Sequence, residues 1–316
     1  MGLMDVLVTG GNGLLGSALC LEFIKNFKVT CCYHSNAIEI ANENFKSLKI
    51  DILRNSLREI EKAPPDIIIH AAAITDLELC EKNPELAHKV NVNGTKNVLE
   101  VAKKCDSKLV YVCTDYIFDG KRGDYSETDE PNPMSVYAKT KLQGEKLIIN
   151  DYDNFLSIRT SLHGWNPNPF KSSLSSSIIN HSRKKEDFFV TDQISSLMFT
   201  NDFANILIEL LHRKVTGIFN VASSDSMPKY HFSLAVAKIF SLNTDFIKPI
   251  SLDEFEKKFS LIACRPKNIS LNVSKVEDAL GKKMSTILEG IISMKQKEAE
   301  FKEKVRWSDA NQRKKN

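Results

Sequence analysis

Apolar residues in the first half of the chain come in short blocks, separated by longer stretches in which they recur every three to four positions. The blocks at 5–9, 28–33, 45–50, 67–70, 108–113 and 154–159 read as β-strands, with a later one at 217–221. Between them the spacing predicts helices over 13–25, 84–105 and 137–150, the second turning Val90, Val92 and Val98 towards a sheet. Regular alternation of strand and helix is the pattern of parallel strands joined by crossover helices. The expected fold is therefore α/β, a doubly wound parallel sheet of the Rossmann type.

Past Arg159 the alternation fades into a Ser- and Asn-rich stretch over 165–177, resumes through 200–222, and then gives way to helical and irregular sequence. This predicts a nucleotide-binding domain over 1–160 plus 200–222. A smaller, discontinuous substrate domain is expected over 161–199 plus 223–295, followed by a charged C-terminal tail over 296–316. The serine run at 172–177, with Phe170 before it and Ile178 and Ile179 after it, reads as a loop leading into a helix.

Composition narrows the class. Of 316 residues, 42% are hydrophobic and 26% charged, as in ordinary globular proteins, and no apolar run approaches the ~18 residues of a membrane span. The chain opens directly on an apolar block without a basic leader, so a cytoplasmic protein with no membrane partner is expected. A net charge of +3 is too small to suggest nucleic acid. The basic end, from Lys295 to Arg313, Lys314 and Lys315, is expected to be a solvated helix followed by disorder rather than a binding arm. Seven cysteines without paired CxxC spacing predict reduced, packed thiols and no metal site.

Directly after the first strand comes TGGNGLLG, which places Gly10, Gly13 and Gly16 in the spacing GxxGxxG at the mouth of a helix. Such glycines permit a tight turn, let backbone amides approach a pyrophosphate and allow close helix-to-strand packing, while the helix N-terminus adds partial positive charge. Asn12, Leu14 and Leu15 belong to the same loop and are expected to touch the dinucleotide. Dinucleotide-binding folds usually end the second strand with an acid that holds the ribose hydroxyls. Here that strand ends CCYHSN, and His34 and Ser35 accept a 2′-phosphate, so NADPH is favoured, with NADH also allowed. His34 reads equally as a solvated loop residue. Asp51 and Ile52 are expected to frame the adenine. Ala71, Ala72 and Ala73, in HAAA, suit both cofactor access and strand-to-helix packing. Asn91, in VNVNGT, reads either as a site residue or as a backbone anchor.

Tyr137 and Lys141, in YAKTK, are four residues apart and so project from nearly the same helix face. By itself this spacing is no rarer than chance. Its position after a strand ending in Cys113 and Thr114, downstream of the glycine loop, gives it weight, because strand C-termini line the ligand crevice. A neighbouring Lys⁺, together with an oxidised nicotinamide, favours the phenolate of a tyrosine whose ordinary pKa is near ~10. Tyr137 then passes a proton to a carbonyl oxygen as hydride reaches its carbon. Thr114 is placed to hold that carbonyl. Asp115 reads either as a sugar-hydroxyl ligand or as a turn former.

TGGNGLLG, HAAA, VNVNGT, CTDYIFDG, YSETDEPNPMSVYAKTKLQGE and CRPKNISLN together resemble the extended short-chain dehydrogenase/reductases, in particular the dTDP-4-dehydrorhamnose reductase group, over about 5–290. The resemblance implies a Thr114, Tyr137 and Lys141 triad, with Lys141 also gripping the nicotinamide ribose and Cys113 beside the cofactor. Thr75, Thr114, Asp115 and Gln193 are the substrate contacts it implies. The expected activity is NAD(P)H-dependent reduction of a 4-keto-6-deoxy sugar nucleotide, the expected partner that substrate, with a homodimer allowed. Where the group often carries DQxGxPT, this chain reads DQISSLM, and RTSLHGW lacks a Trp at Leu162; Trp165 and His163 nearby read as loop packing or substrate-facing. Two other activities fit the same resemblance. One is a non-catalytic NADP-binding regulatory subunit like the methionine adenosyltransferase β subunit, the other a sugar-nucleotide epimerase. A dehydratase would need an acid pair beside Thr114, and Asp115 is followed by Tyr116.

Overall fold

The structure, a computed structural model, describes residues 2–54, 57–169, 171–180 and 186–308. Among these, seven strands form one sheet: β1 (Asp5–Thr9), β2 (Lys28–Tyr33), β3 (Phe45–Lys49), β4 (Ile67–His70), β5 (Lys108–Val112), β6 (Phe155–Arg159) and β7 (Gly217–Asn220). Their order is β7-β6-β5-β4-β1-β2-β3 and every pairing is parallel. The chain thus starts in the middle, winds outward through β2 and β3, then crosses to the other side, which leaves a crevice at the C-terminal ends of β1 and β4. Strand runs such as Val6, Leu7, Val8 and Ile67, Ile68, Ile69 are buried because helices cover both faces.

The helices that position the crevice are α1 (Leu14–Phe23), α2 (Gly94–Cys105), α3 (Val136–Asp151), α4 (Thr200–His212) and α5 (Lys229–Ile239). The expected single helix over 84–105 is interrupted. An α-helix at Pro84–His88 and α2 flank a wide π turn at Lys89–Asn93, which turns Asn91 inward to 1% exposure. Helix α3 begins at Ser135, whose hydroxyl accepts the Ala138 amide at 3.2 Å. Strand ends lie within a residue of the expected ones, and α4 followed by β7 returns the 200–222 segment to the sheet edge.

A second, smaller core gathers Ile178, Phe189, Phe232, Val236, Ile247, Ile287 and Ile291. Around it lie two-residue and four-residue strand pairs that the apolar pattern does not reveal, such as Asp187–Val190 beside Ile247–Ile250. The serine run enters a helix earlier than expected: Leu174–Ile179 starts inside it, with Ser173 forming a reciprocal cap with Ser176. Phe170 lies outside the described residues.

The expected helix is present at the start of the tail, but it is docked rather than solvated. Helix Glu298–Lys304 buries Phe301 to 5% exposure, and Arg306–Trp307 pairs antiparallel with Ile38–Glu39, an edge the sequence did not show as a strand. Lys297 Nζ reaches the buried Glu22 carboxylate of α1 at 2.8 Å, and Glu22 also accepts from Asn201 of α4 at 2.8 Å. An apolar side and a buried counter-charge therefore anchor this segment. Arg313, Lys314 and Lys315 lie outside the described residues. Among the described residues no helix is long and apolar enough to cross a membrane, and all seven cysteines are unbridged thiols.

Inside the main core Arg159 pairs with Glu145 of α3, Nη2 to Oε2 at 2.9 Å, with side chains 4% and 1% exposed. Ser157 donates to the same carboxylate at 2.7 Å. Removing one partner of such a pair strands the other in a low dielectric, at a cost of about 3–5 kcal/mol. Arg159→Met should lose that much in urea denaturation, and the double variant Arg159→Met with Glu145→Met should recover most of it. Additive losses in the double variant would show that the two groups do not depend on each other.

Candidate active site

The glycine loop has the geometry of a cradle. Gly10 has φ +67°, and a Cβ there would stand 2.8 Å from the Ala72 backbone; at Gly16 a Cβ would fall 2.2 Å from the Gly10 carbonyl oxygen. Helix α1 opens at Gly13 with no side chain capping it and no acid in its first turn, so its leading amides face the crevice without a competing anion. These features fit a dinucleotide pyrophosphate. Asn12 ties the loop to the end of β2 through the Asn36 carbonyl at 2.7 Å. Beyond β2, His34 and Ser35 are exposed, and no acid stands among them.

Asp51 takes the Leu53 amide at 2.9 Å and pairs with Arg54 at 3.0 Å, forming the turn after β3. Ile52, beside it, lies close to Gly94, where a Cβ would stand 2.6 Å from its Cδ1.

Between loop and catalytic helix runs a directed hydrogen-bond chain. The Ala72 amide donates to Thr9 Oγ1 at 3.3 Å; Thr9 Oγ1 and His70 Nδ1 are 2.8 Å apart, and His70 Nε2 and Thr95 Oγ1 are 3.0 Å apart. Thr95 gives its proton to the Asn91 carbonyl at 2.6 Å. Thr95 therefore accepts from Nε2–H, which leaves Nδ1 to accept from Thr9. Burial and the nearby Lys141 charge push His70 down to about 3, in keeping with this neutral ring. Asn91 continues the chain: its amide clamps both backbone groups of Ile74 and donates to Thr140 Oγ1 at 3.0 Å. Those bonds favour the anchoring reading of Asn91. Ala71, Ala72 and Ala73 are half-buried around the chain, and Thr75 is exposed.

At the end of β5, Cys113, Thr114 and Asp115 are 3%, 5% and 2% exposed. Thr114 accepts the Tyr116 amide at 3.3 Å and donates to Asp115 Oδ1 at 3.1 Å. Among the described residues Asp115 Oδ2 is buried without a hydrogen-bond partner, and burial pushes this carboxyl up to about 7 against the pull of the Ser161 and Thr114 hydroxyls. Tyr137 stands opposite, its ring 6.3 Å from that of Tyr116 in an edge-on arrangement. Burial pushes the Tyr137 phenol up, with the Thr114 hydroxyl opposing. Lys141, 3% exposed, is lowered to about 8 by burial, opposed by Cys113 and Glu145. Its ammonium sits 4.2 Å from the centre of the Tyr111 ring.

From the smaller core, Gln193 closes the crevice. It is 1% exposed and donates to the Tyr116 phenol at 3.3 Å and the Pro266 carbonyl at 3.1 Å. The fold thus gathers Thr114, Asp115, Tyr137, Lys141 and Gln193 around one crevice, with the glycine loop at its other end. Sequence reasoning missed His70, Tyr111 and the Glu145–Arg159 pair. Glu145 did carry a signal, since it repeats the Tyr137–Lys141 spacing one step further along the helix.

Sheet order, glycine cradle and the Tyr137–Lys141 pair define an extended short-chain dehydrogenase/reductase. Within that class the chain belongs to the RmlD substrate binding domain family, whose model matches residues 4–299. It is similar to the dTDP-4-dehydrorhamnose reductase of Aggregatibacter actinomycetemcomitans, 27% identical over 289 residues, covering 87% of this chain and 93% of the relative. It is also 29% identical over 279 residues to methionine adenosyltransferase 2 subunit beta of Xenopus laevis, covering 86% and 81%. Among solved structures, dTDP-4-dehydrorhamnose reductase from Bacillus anthracis in complex with NADP superposes with a TM-score of 0.81, at 25% identity, over 94% of this chain and all of that one.

His163 and Trp165 pack rather than face the crevice. Trp165 donates to the Met294 carbonyl at 3.2 Å, and His163 lies between Phe232 and Phe199, at 5.0 and 5.9 Å, with both ring nitrogens unpartnered among the described residues. Burial lowers His163 to about 3. Below pH ~6.5 the unfolded chain takes up a proton that the folded one refuses, so this residue's share of stability is lost as pH falls from ~6.5 towards ~3. At pH 5 the loss is about 2 kcal/mol. His163→Leu should shrink the fall in unfolding free energy between pH 7 and pH 5 by about that amount; an unchanged pH dependence in urea melts would contradict the assignment.

Proposed function

We propose that the protein is an NADPH-dependent reductase of a 4-keto-6-deoxy sugar nucleotide, most simply dTDP-4-dehydrorhamnose. The observation that carries this reading is the Tyr137 phenol beside Thr114 at the end of β5, one helical turn from the buried Lys141. When bound, the cofactor supplies hydride to the carbonyl carbon. Gly10, Asn12, Gly13, Leu14, Leu15 and Gly16 would hold its pyrophosphate, Ile52 would border the adenine, and His34 and Ser35 would meet a 2′-phosphate.

The Thr114 hydroxyl turns from Asp115 to donate its hydrogen bond to the substrate carbonyl oxygen, which orients it towards Tyr137. The phenol then gives up its proton to that oxygen, and the Lys141 charge stabilises the phenolate left behind. Asp115, buried with one oxygen unpartnered, binds a sugar hydroxyl, and Gln193 bounds the sugar from the smaller core. The segments 161–199 and 223–295, which hold that smaller core, serve as the substrate-binding part.

Tyr137→Phe should leave cofactor affinity within a few-fold while turnover with a keto-sugar nucleotide falls by about 10²–10⁴, the usual contribution of a positioned proton donor. Near-normal turnover would remove the mechanism. With no acid after β2, kcat/KM should be higher with NADPH than with NADH, and an equal or reversed ratio would refute the cofactor preference.

The match to methionine adenosyltransferase 2 subunit beta, at an identity comparable to that of the reductase, favours a second reading, a regulatory subunit that holds the same cofactor. Purified protein that binds NADPH, fails to oxidise it with any keto-sugar nucleotide and co-purifies with an adenosyltransferase would replace the first reading with the second.

A further inference from the structure

Lys141 is a cation with an unusual set of neighbours. It is 3% exposed, and among the described residues no carboxylate pairs with its ammonium. The nearest acid on its own helix, Glu145, is committed to Arg159 and Ser157. What the ammonium meets instead is the face of Tyr111, 4.2 Å from the ring centre. Ring faces carry negative electrostatic potential, and a desolvated ammonium gains more from one than an exposed ammonium does. The same side chain touches Lys141 a second time, since the Tyr111 hydroxyl donates to the Lys141 carbonyl oxygen at 3.0 Å.

Both contacts depend on the surroundings. Tyr111 is fully buried on β5, so its ring has no alternative position, and the His70 ring packs 5.8 Å away. Gly144 of α3 makes room for the hydroxyl: a Cβ there would lie 2.5 Å from the phenol oxygen.

We propose that Tyr111 is the positioning residue for Lys141, its ring face holding the ammonium as a cation. This rests on the reading of Lys141 as the charged partner of Tyr137. The other groups facing the pair are Cys113 from the end of β5, Glu145 and Tyr137 from α3 and His70 from β4, with Arg159 of β6 on the far side of Glu145. Of these, Cys113 and Glu145 support the lysine's charge, while burial opposes it.

The test separates ring charge from ring shape. Tyr111→Phe keeps the ring and removes the hydroxyl; mono-, di- and trifluorophenylalanine placed at position 111 then drain the ring face at nearly constant volume. In protein with ¹³C-labelled lysine, the Lys141 resonance, assigned by its loss in Lys141→Met, is titrated by NMR. With Phe at 111 its midpoint should stay within a few tenths of a pH unit of the parent. Successive fluorines should lower it to about one unit below the Phe variant, roughly tenfold in the ionisation constant. The basic limb of kcat/KM should move with it. A midpoint indifferent to fluorination would overturn the proposal, whatever the stability of the variants. A graded midpoint in a protein that reduces no keto-sugar nucleotide would leave Tyr111 in this role and reject the proposed function instead.

Discussion

An ammonium buried without a carboxylate partner is costly, and the arrangement of the main core follows from how Lys141 is accommodated. Desolvation lowers its affinity for a proton, so the groups packed around it decide whether a charge stands beside Tyr137 at neutral pH. Helix α3 must present one stripe, Tyr137, Lys141 and Glu145, to the ends of β5 and β6. Glu145 would be a liability in the same interior, and Arg159 and Ser157 from β6 neutralise and satisfy it. Tyr111 fills the remaining space with a surface that favours a cation. The helix lies this close to the strands because Gly144 has no side chain to hold it away.

The crevice needs its two halves held in register, and that falls to buried polar groups rather than to the apolar core. The chain from Ala72 through Thr9, His70 and Thr95 to Asn91 crosses from the first strand to the π turn, and Asn91 passes it to Thr140 on α3. Each member is a donor to the next, so a single His70 tautomer satisfies all of them. Misplacing one would leave a buried group unpaired, which is costlier than any one of these bonds is stabilising. Glycine loop and catalytic helix are thereby coupled through hydrogen bonds that have one consistent direction.

Strand positions were legible to within a residue because a parallel sheet covered on both faces demands continuous apolar runs, as at Ile67, Ile68 and Ile69. The glycine loop and the Tyr137–Lys141 spacing were legible because turn geometry and helical periodicity are local. Strand pairs of two residues, as at Ile194–Ser195 with Met227–Pro228, leave no such signature. Neither did the docked segment around Phe301, where charged residues dominate the composition and one apolar side with a lysine reaching Glu22 decides the outcome. The π turn was hidden for a related reason: its residues are ordinary helix formers, and what favours the wider turn is the pairing of Asn91 with Ile74, seventeen positions away.

By itself the sequence determined the order of strands and helices, the phosphate-binding loop and the helix face carrying the proton donor, since each depends on residues a few positions apart. Only the tertiary structure decided the surroundings of that donor. Thr114, Cys113 and Asp115 meet Tyr137 from the end of β5, and burial there pushes its phenol up. Tertiary structure likewise decided that Asn91 anchors the backbone, that His163 and Trp165 pack, and that the Tyr111 ring meets the Lys141 ammonium. Desolvation and cation–ring contact depend on which side chains meet in space, and in this fold those side chains come from strands far apart in the chain.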